Sequence, residues 1–470
     1  MSERHDPVGT TPRARGPLGS TRNPLAFALA RSAIHGHGLY LGAGERGPLF
    51  AAPEHGALVL GPPRSGKTTA LVVPNILQAA GSVLAVSTKR DVLDATARAR
   101  AQLGEVLVFD PSGTITAPPG ARRIGWSPIP AARSWDRAVL TAESMVGAAH
   151  AGARADATHW RERAGALLAT LLHAAALDGS TMREVVTSVN RHEPDRALAS
   201  LARHDAELAL DLLVGITVTD EREQSGIWST TSGALAAYRT EQALASSTGE
   251  LFDPERFVAG RDTLYLAAPG EHQAHLAPLV AGVVRDIRSA AFSRSAAPGG
   301  FATRRTPVLL VLDELANIAP LHDLPALVAE GASQGVLTLA CLQDLSQARA
   351  RFGPSADGFL SLFGAKVFLP GIGDVRTLEA LASLAGDREV TSVSRTTTGR
   401  LLRRRSSRTV ASRREPRLAP ALIANPRPGR AYAVLGAAPA ELVLTPYYAC
   451  SPWRELVAVR TRSGDRSLGR

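Results

Sequence analysis

The chain has 470 residues, 45% of them hydrophobic, with a formal net charge of +10. That length supplies two domains or more with ample core, and a mean hydropathy near zero describes a soluble globular protein. Two cysteines, Cys341 and Cys450, exclude a disulfide framework or a cysteine-built zinc site and suit a reducing cytoplasm.

In chain order, residues 1–24 are polar and rich in Pro, Gly and Arg, which predicts a disordered tail rather than a signal peptide. His35-Gly36-His37 is too sparse for a metal site and reads as loop. Ala57-Leu58-Val59-Leu60 is a short apolar run, expected as a buried strand, and it leads into Gly61-Pro62-Pro63-Arg64-Ser65-Gly66-Lys67-Thr68. This is a full match to G-x-x-x-x-G-K-[ST], the phosphate-binding loop. Glycines let the backbone N–H groups of Gly61 to Thr69 point inward at phosphates, and Lys67 reaches the β- and γ-phosphates as a compact charge. Lys67, Lys89 and Lys366 are the only lysines among 53 basic residues, so an Arg-biased chain keeps an ammonium at the position where a planar guanidinium would not fit. Thr68 is expected to offer its hydroxyl to Mg²⁺, and a helix opens at Thr68, which Pro74 bends or shortens.

Ser82 to Val86 is the next strand, followed by Thr88-Lys89-Arg90-Asp91. That tetrad fits the guanine-reading [NT]-K-x-D pattern, but in GTPases the pattern follows the Mg²⁺ carboxylate strand. Here it precedes Asp313 by more than two hundred residues, and a GTPase is rejected. Val106 to Phe109 is a further strand. Between Trp135 and Phe252 the strand pattern stops, Pro194 is the sole proline, and Trp160, Ala164, Leu167, Leu168, Leu171 and Leu172 share one helical face. Trp160 reads as core there. The longest apolar stretch, Ala164 to Leu177, is interrupted by His173 and is too short to cross a bilayer.

Strands resume at Leu264 to Ala267 and at Val308 to Leu312, the second ending in Asp313-Glu314. Asp313 is placed to hold Mg²⁺ through its water shell and Glu314 to polarise the attacking water as general base, a pairing that favours ATP hydrolysis over mere binding. Val336 to Ala340, Lys366 to Leu369 (Lys366 structural) and Ala431 to Leu435 complete the strands. Strands separated by helices predict an α/β fold: a mostly parallel sheet covered on both faces, interrupted by an all-helical insertion. Between Arg388 and Arg430 stand twelve arginines against Glu389 and Glu415. Residues 388–417, with Arg403, Arg404, Arg405 and Arg408, read as an exposed basic loop. It suits nucleic-acid phosphate, or is simply solvated in an Arg-rich chain, since no aromatic is interleaved to stack bases.

These landmarks, together with Trp126-Ser127-Pro128-Ile129, His159 to Ala164, Asp313-Glu314-Leu315-Ala316-Asn317, Leu342-Gln343-Asp344 and Arg414 to Leu418, resemble the type IV secretion coupling proteins. These are the TraG/TraD-like ATPases of conjugative DNA transfer. The resemblance spans roughly residues 45–450 and implies a RecA-like P-loop NTPase forming a hexameric ring, with ATP at subunit interfaces and DNA near the channel. It implies that Gln343 senses the γ-phosphate, the alternative being a cap on the following helix. A neighbouring subunit would supply an arginine finger, for which Arg351 and Arg376 are guesses. The expected organisation is a tail (1–24), ATPase halves at 25–130 and 256–450, a helical insertion at 131–255 and a basic tail at 451–470. The resemblance implies ATP and Mg²⁺ as cofactors, DNA and secretion-channel components as partners, and relaxosome or effector proteins recruited by the insertion. Family members carry N-terminal transmembrane helices that this sequence lacks, so a cytoplasmic location is expected, peripheral to the membrane through a partner. An ATPase selecting protein effectors and a non-catalytic nucleotide-gated adaptor are the alternative functions.

Overall fold

Each apolar run expected as a strand becomes one in a single sheet of the computed structural model, which describes residues 23–151, 158–267, 273–297, 306–318, 321, 323–398, 405–436 and 438–458. The strands are β1 (Tyr40–Gly44), β2 (Gly47–Phe50), β3 (Ala57–Leu60), β4 (Val83–Ser87), β5 (Val106–Phe109), β6 (Arg122–Arg123), β7 (Thr263–Ala267), β8 (Val308–Leu312), β9 (Val336–Leu342) and β10 (Ala365–Phe368). They continue as β11 (Asp387–Thr398), β12 (Arg405–Pro416), β13 (Arg430–Leu435) and β14 (Ala438–Val443). Twelve of them form one sheet in the order β2-β1-β14-β13-β10-β3-β9-β8-β4-β7-β5-β6. From β10 to β6 every neighbour is parallel. β13, β14, β1 and β2 extend the β10 edge antiparallel. β3, β4, β5, β8, β9 and β10 are buried along their whole length. Burial on both faces is why they read as unbroken apolar runs rather than as alternation.

The helix after the phosphate-binding loop changes register at the predicted proline. It begins as a π-helix over Lys67–Val72 and continues as an α-helix over Val73–Gln78. Pro74 has no N–H to donate back, so the hydrogen-bond ladder resets around it. Asn75, fully buried on this helix, ties it to β1. Its side chain accepts from Tyr40 N at 2.8 Å and donates to Tyr40 O at 2.8 Å and Leu71 O at 2.9 Å.

Among the described residues no strand lies between β6 and β7. That interval holds helices Trp135–Ala149, Thr158–Asp178, Met182–Arg191, Asp195–Arg203, Glu207–Thr217, Glu221–Ala234, Glu241–Ala245 and Pro254–Ala259. Thr158–Asp178 is their hub: nearly every side chain from Ala164 to Ala176 is buried, so its apolar surface runs all round. Trp160 packs on Gly226, where a Cβ would stand 2.4 Å from the indole. The two ends of the helical segment are strapped together, Gly125 N donating to Glu250 O and Phe252 N to Gly125 O, both at 2.8 Å.

Two expectations need correction. The basic segment 388–417 is a β-hairpin rather than a loop: β11 and β12 pair antiparallel without a break from Asp387↔Pro416 to Thr398↔Arg405. Its β-branched residues (Val390, Thr391, Val393, Thr409 and Val410) hold an extended backbone without any buried face, so no apolar alternation announces it. Nor is 451–458 a tail. Trp453, 1% exposed, opens helix Trp453–Ala458 and packs with Leu25 and Ala28 of helix Pro24–Ile34 and with Val73 and Leu77. The Arg31 guanidinium lies 4.7 Å from its ring centroid. Residues 1–22, 459–470, Arg403 and Arg404 lie outside the described residues. Among the described residues, no helix is long and apolar enough to cross a membrane.

Candidate nucleotide site

Parallel strands deliver their following loops to one edge of the sheet, which is where α/β folds bind ligands. Here β3, β4, β8 and β9 meet at a cleft of about 420 Å³. It is lined by Pro63 to Thr69, Thr88, Lys89, Asp91, Asp313, Glu314, Cys341 to Gln343, Gln347 and Tyr448. The predicted residues Arg64, Ser65, Gly66, Lys67, Thr68, Asp313, Glu314 and Gln343 are therefore together, although Gly61 to Thr69 and Asp313 are far apart in sequence.

The loop is built for a close anion. Gly66 sits in the left-handed region at φ 98°, which only glycine adopts without cost, and Arg64 is held there at φ 64°. A Cβ on Gly61 would stand 2.7 Å from Ser65 Oγ and 2.8 Å from Leu369 Cβ, so the loop folds tightly over the end of β3. The Ser65 hydroxyl is buried without a hydrogen-bond partner. Lys67 Nζ turns back to donate to the carbonyls of Gly61 at 2.5 Å and Pro62 at 2.9 Å. Burial holds its pKa below the ordinary ammonium value, against the opposing pull of Asp313 and Glu314. An orphaned hydroxyl and an ammonium satisfied only by loop carbonyls are the features a phosphate group would complete.

Thr68 and Asp313 form the second half of the site. Thr68 Oγ1 lies 3.3 Å from each Asp313 oxygen, and Ser87 Oγ at the end of β4 donates to Asp313 Oδ2 at 3.3 Å. Burial, reinforced by the Asp91 carboxylate, pushes the Asp313 pKa up to about 6. A hydroxyl and a carboxylate side by side at the phosphate end are the oxygen donors Mg²⁺ takes. Glu314 points into the same cleft and accepts from Asn317 Nδ2 at 2.8 Å. Asn317, the last residue of the Asp-Glu-Leu-Ala-Asn run, thus orients the candidate base, a role its presence in the sequence did not disclose.

Gln343 follows β9, the strand hydrogen-bonded to β8, and its exposed side chain borders the cleft. The helix after it, Leu345–Phe352, is capped instead by Asp344, which accepts from Gln347 N at 3.1 Å. Thr88, Lys89 and Asp91 lie at the phosphate end, where Asp91 acts on Asp313 and Lys89 on Lys67. That position suits charge control rather than reading of a base. Tyr448 and Gln347 went unnoticed in the sequence, and Tyr448 carries no local motif to mark it. Arg351 and Arg376 do not line the cleft of their own chain, while Lys366 lies buried inside β10.

Strand, glycine loop, helix and a distant Asp-Glu on the neighbouring strand but one define a P-loop nucleotide site in an α/β, RecA-like fold. Residues 28–423 match the family described as Type IV secretory system Conjugative DNA transfer, and the chain belongs to it. It is 26% identical over 426 residues to the conjugal transfer protein TraG of Escherichia coli, covering 83% of this chain and 64% of that protein. The chain therefore spans just under two thirds of the length of that relative. Its fold is similar to the unbound bacterial conjugative coupling protein TrwB lacking 70 N-terminal residues, at a TM-score of 0.67 and 20% identity over 86% of this chain and 88% of that one. TrwB bound to ADP and Mg²⁺ gives a TM-score of 0.62 at 20% identity, covering 84% and 85%. TrwB bound to the non-hydrolysable GTP analogue GDPNP gives 0.63 at 20% identity, covering 84% and 86%.

Proposed function

We propose that this chain is an ATP-hydrolysing coupling protein that moves DNA toward a type IV secretion channel. The observation that carries the reading is the convergence of Lys67, Thr68, Asp313, Glu314 and Gln343 on one cleft. Lys67 would leave its loop carbonyls for the β- and γ-phosphates, with Gly61 to Thr69 cradling them. Thr68 and Asp313 would hold Mg²⁺, which supplies charge neutralisation on the phosphate oxygens. Glu314, oriented by Asn317, would take a proton from the attacking water while Gln343 contacts the γ-phosphate. The ring implied by the family needs an arginine from the next subunit. Arg351 and Arg376 stay eligible, whereas Arg349 is committed to Asp357 at 3.4 Å and Asp374 at 3.7 Å. The setting would be the cytoplasmic side, held at the membrane by a partner.

The hairpin supports DNA as cargo. No carboxylate stands between Glu389 and Glu415, and both of these are occupied near its base. Glu415 pairs with Arg413 and lies 3.9 Å from Arg388, while Glu389 accepts from Ser412 Oγ at 2.5 Å. Arg395 stands directly opposite Arg408, which puts two guanidinium groups at one level of the hairpin. Twelve residues per strand reach about 40 Å at ~3.3 Å each.

The test is ATP turnover of the purified chain with and without single-stranded and duplex DNA. Stimulation by DNA that falls steeply with salt is the expected result. Charge reversal at Arg395 and Arg408 should reduce that stimulation and lower the slope of log affinity against log salt by about one per lost phosphate contact. Turnover indifferent to DNA would exclude the DNA motor and leave a coupling ATPase for protein cargo.

A further inference from the structure

We infer that Tyr448 is the platform on which the nucleotide base stacks. This inference rests on the nucleotide reading above and extends it to the base.

The two ends of the cleft differ in chemistry. Lys67, Lys89, Asp91, Asp313 and Glu314 crowd the phosphate end with charge, and none of them offers an apolar face to a purine. Tyr448 is the aromatic residue among the described lining residues, and it is 59% exposed, a large ring left open on a cleft wall. It belongs to the short 3₁₀ turn Tyr447–Ala449, which packs against the start of the phosphate-loop helix. An aromatic beside that helix lies where the nucleoside must emerge once its phosphates fill the loop.

The ring is braced rather than loose. Tyr447 meets Tyr448 edge-on, with centroids 5.3 Å apart and planes at 80°. Tyr447 itself packs against the cluster that contains Trp453, Leu25 and Leu77. Upstream, Leu444 N donates to Gly429 O at 3.0 Å, so the segment is pinned on both sides of the turn. Docking of 451–458 thus has a purpose beyond closing the core: it presents Tyr448 to the cleft.

Stacking on an aromatic face is indifferent to base identity because every base has a π-face. Removing the ring should therefore weaken adenine and guanine nucleotides alike.

The experiment is calorimetric titration of wild type, Tyr448→Ala and Tyr448→Phe with ADP, GDP and inorganic tripolyphosphate, all with Mg²⁺. Tyr448→Ala should weaken ADP and GDP by about ten-fold or more, the range of base–aromatic stacking, with tripolyphosphate unchanged and Tyr448→Phe close to wild type. Equal ADP affinity in wild type and Tyr448→Ala, or an equal loss for tripolyphosphate, would overturn the stacking role. Failure of wild type to bind any of the three would sink the nucleotide reading itself, which separates the two failures.

Discussion

Glu314→Gln should lower ATP turnover by about 10²–10⁴-fold, the usual contribution of a general base, while Mg–ATP remains bound. The substitution is well matched to the site. A glutamine carbonyl can still accept from Asn317 Nδ2, now 2.8 Å from the carboxylate, so the side chain keeps its direction and loses only its basicity. Lys67→Ala should behave differently, because it removes the cation of the phosphate loop and with it nucleotide binding. Measuring turnover and nucleotide affinity together for both variants separates chemistry from binding. Full turnover in Glu314→Gln would remove Glu314 from catalysis, whereas nucleotide binding with no turnover in wild type would favour the nucleotide-gated adaptor. Loss of ATP affinity in the same variant would instead make Glu314 a binding group. Asn317→Ala should fall between wild type and Glu314→Gln, since it leaves the base present but unguided.

The parts that were legible in the sequence are those where one physical demand dominates. β3, β5 and β8 were read to the residue because a strand buried on both faces has to be an unbroken apolar run. β1 and β2, at the antiparallel end of the sheet, were not, since Gly42, Gly44, Gly47 and Pro48 write turn signals into them. The hairpin β11–β12 was missed for the opposite reason: with no buried face, nothing constrains its pattern. In the cleft, Lys67, Asp313 and Glu314 could be named because their spacing or strand context is a chemical requirement. Asn317 and Tyr448 could not. Asn317 acts through one hydrogen bond whose geometry only the turn after β8 creates, and Tyr448 reaches the site by a long return of the chain. The Arg-rich segment was correctly read as exposed, which charge density alone dictates.

A second large effect is expected where the helical segment meets the sheet. Trp126, 2% exposed, lies across helix Gln273–Ala296, its ring over Gly282 and its Nε1 donating to Asp286 Oδ2 at 2.9 Å. Gly282 and Asp286 are four residues apart and share one helix face. A Cβ on Gly282 would stand 2.1 Å from the indole, and the ring cannot withdraw without giving up its buried hydrogen bond to Asp286. Gly282→Ala should therefore destabilise the protein by about 2–6 kcal/mol, combining overpacking with a lost buried hydrogen bond. Asp286→Asn should act in the opposite direction at neutral pH. Burial raises the Asp286 pKa from 3.8 to about 6, against the opposing pull of its Trp126 hydrogen bond and of Arg137 and Arg285, with Glu255 adding to the rise. Between those two values the folded protein holds a proton that the unfolded chain has released. Stability from this group thus increases as pH falls from 7 towards 4, and above about 6 the folded state carries the full penalty, about 3 kcal/mol. Asparagine keeps an oxygen for Trp126 and carries no charge. Arg137 remains part-hydrated, and Arg285 keeps Asp323 at 3.4 Å. Unfolding measured from pH 4 to 8 should show Asp286→Asn more stable than wild type at pH 7.5, with the gap closing toward pH 4. A gap independent of pH would mean that Asp286 is held ionised by its arginines, and that the Trp126 junction is an ion-paired seam rather than a buried carboxyl under strain.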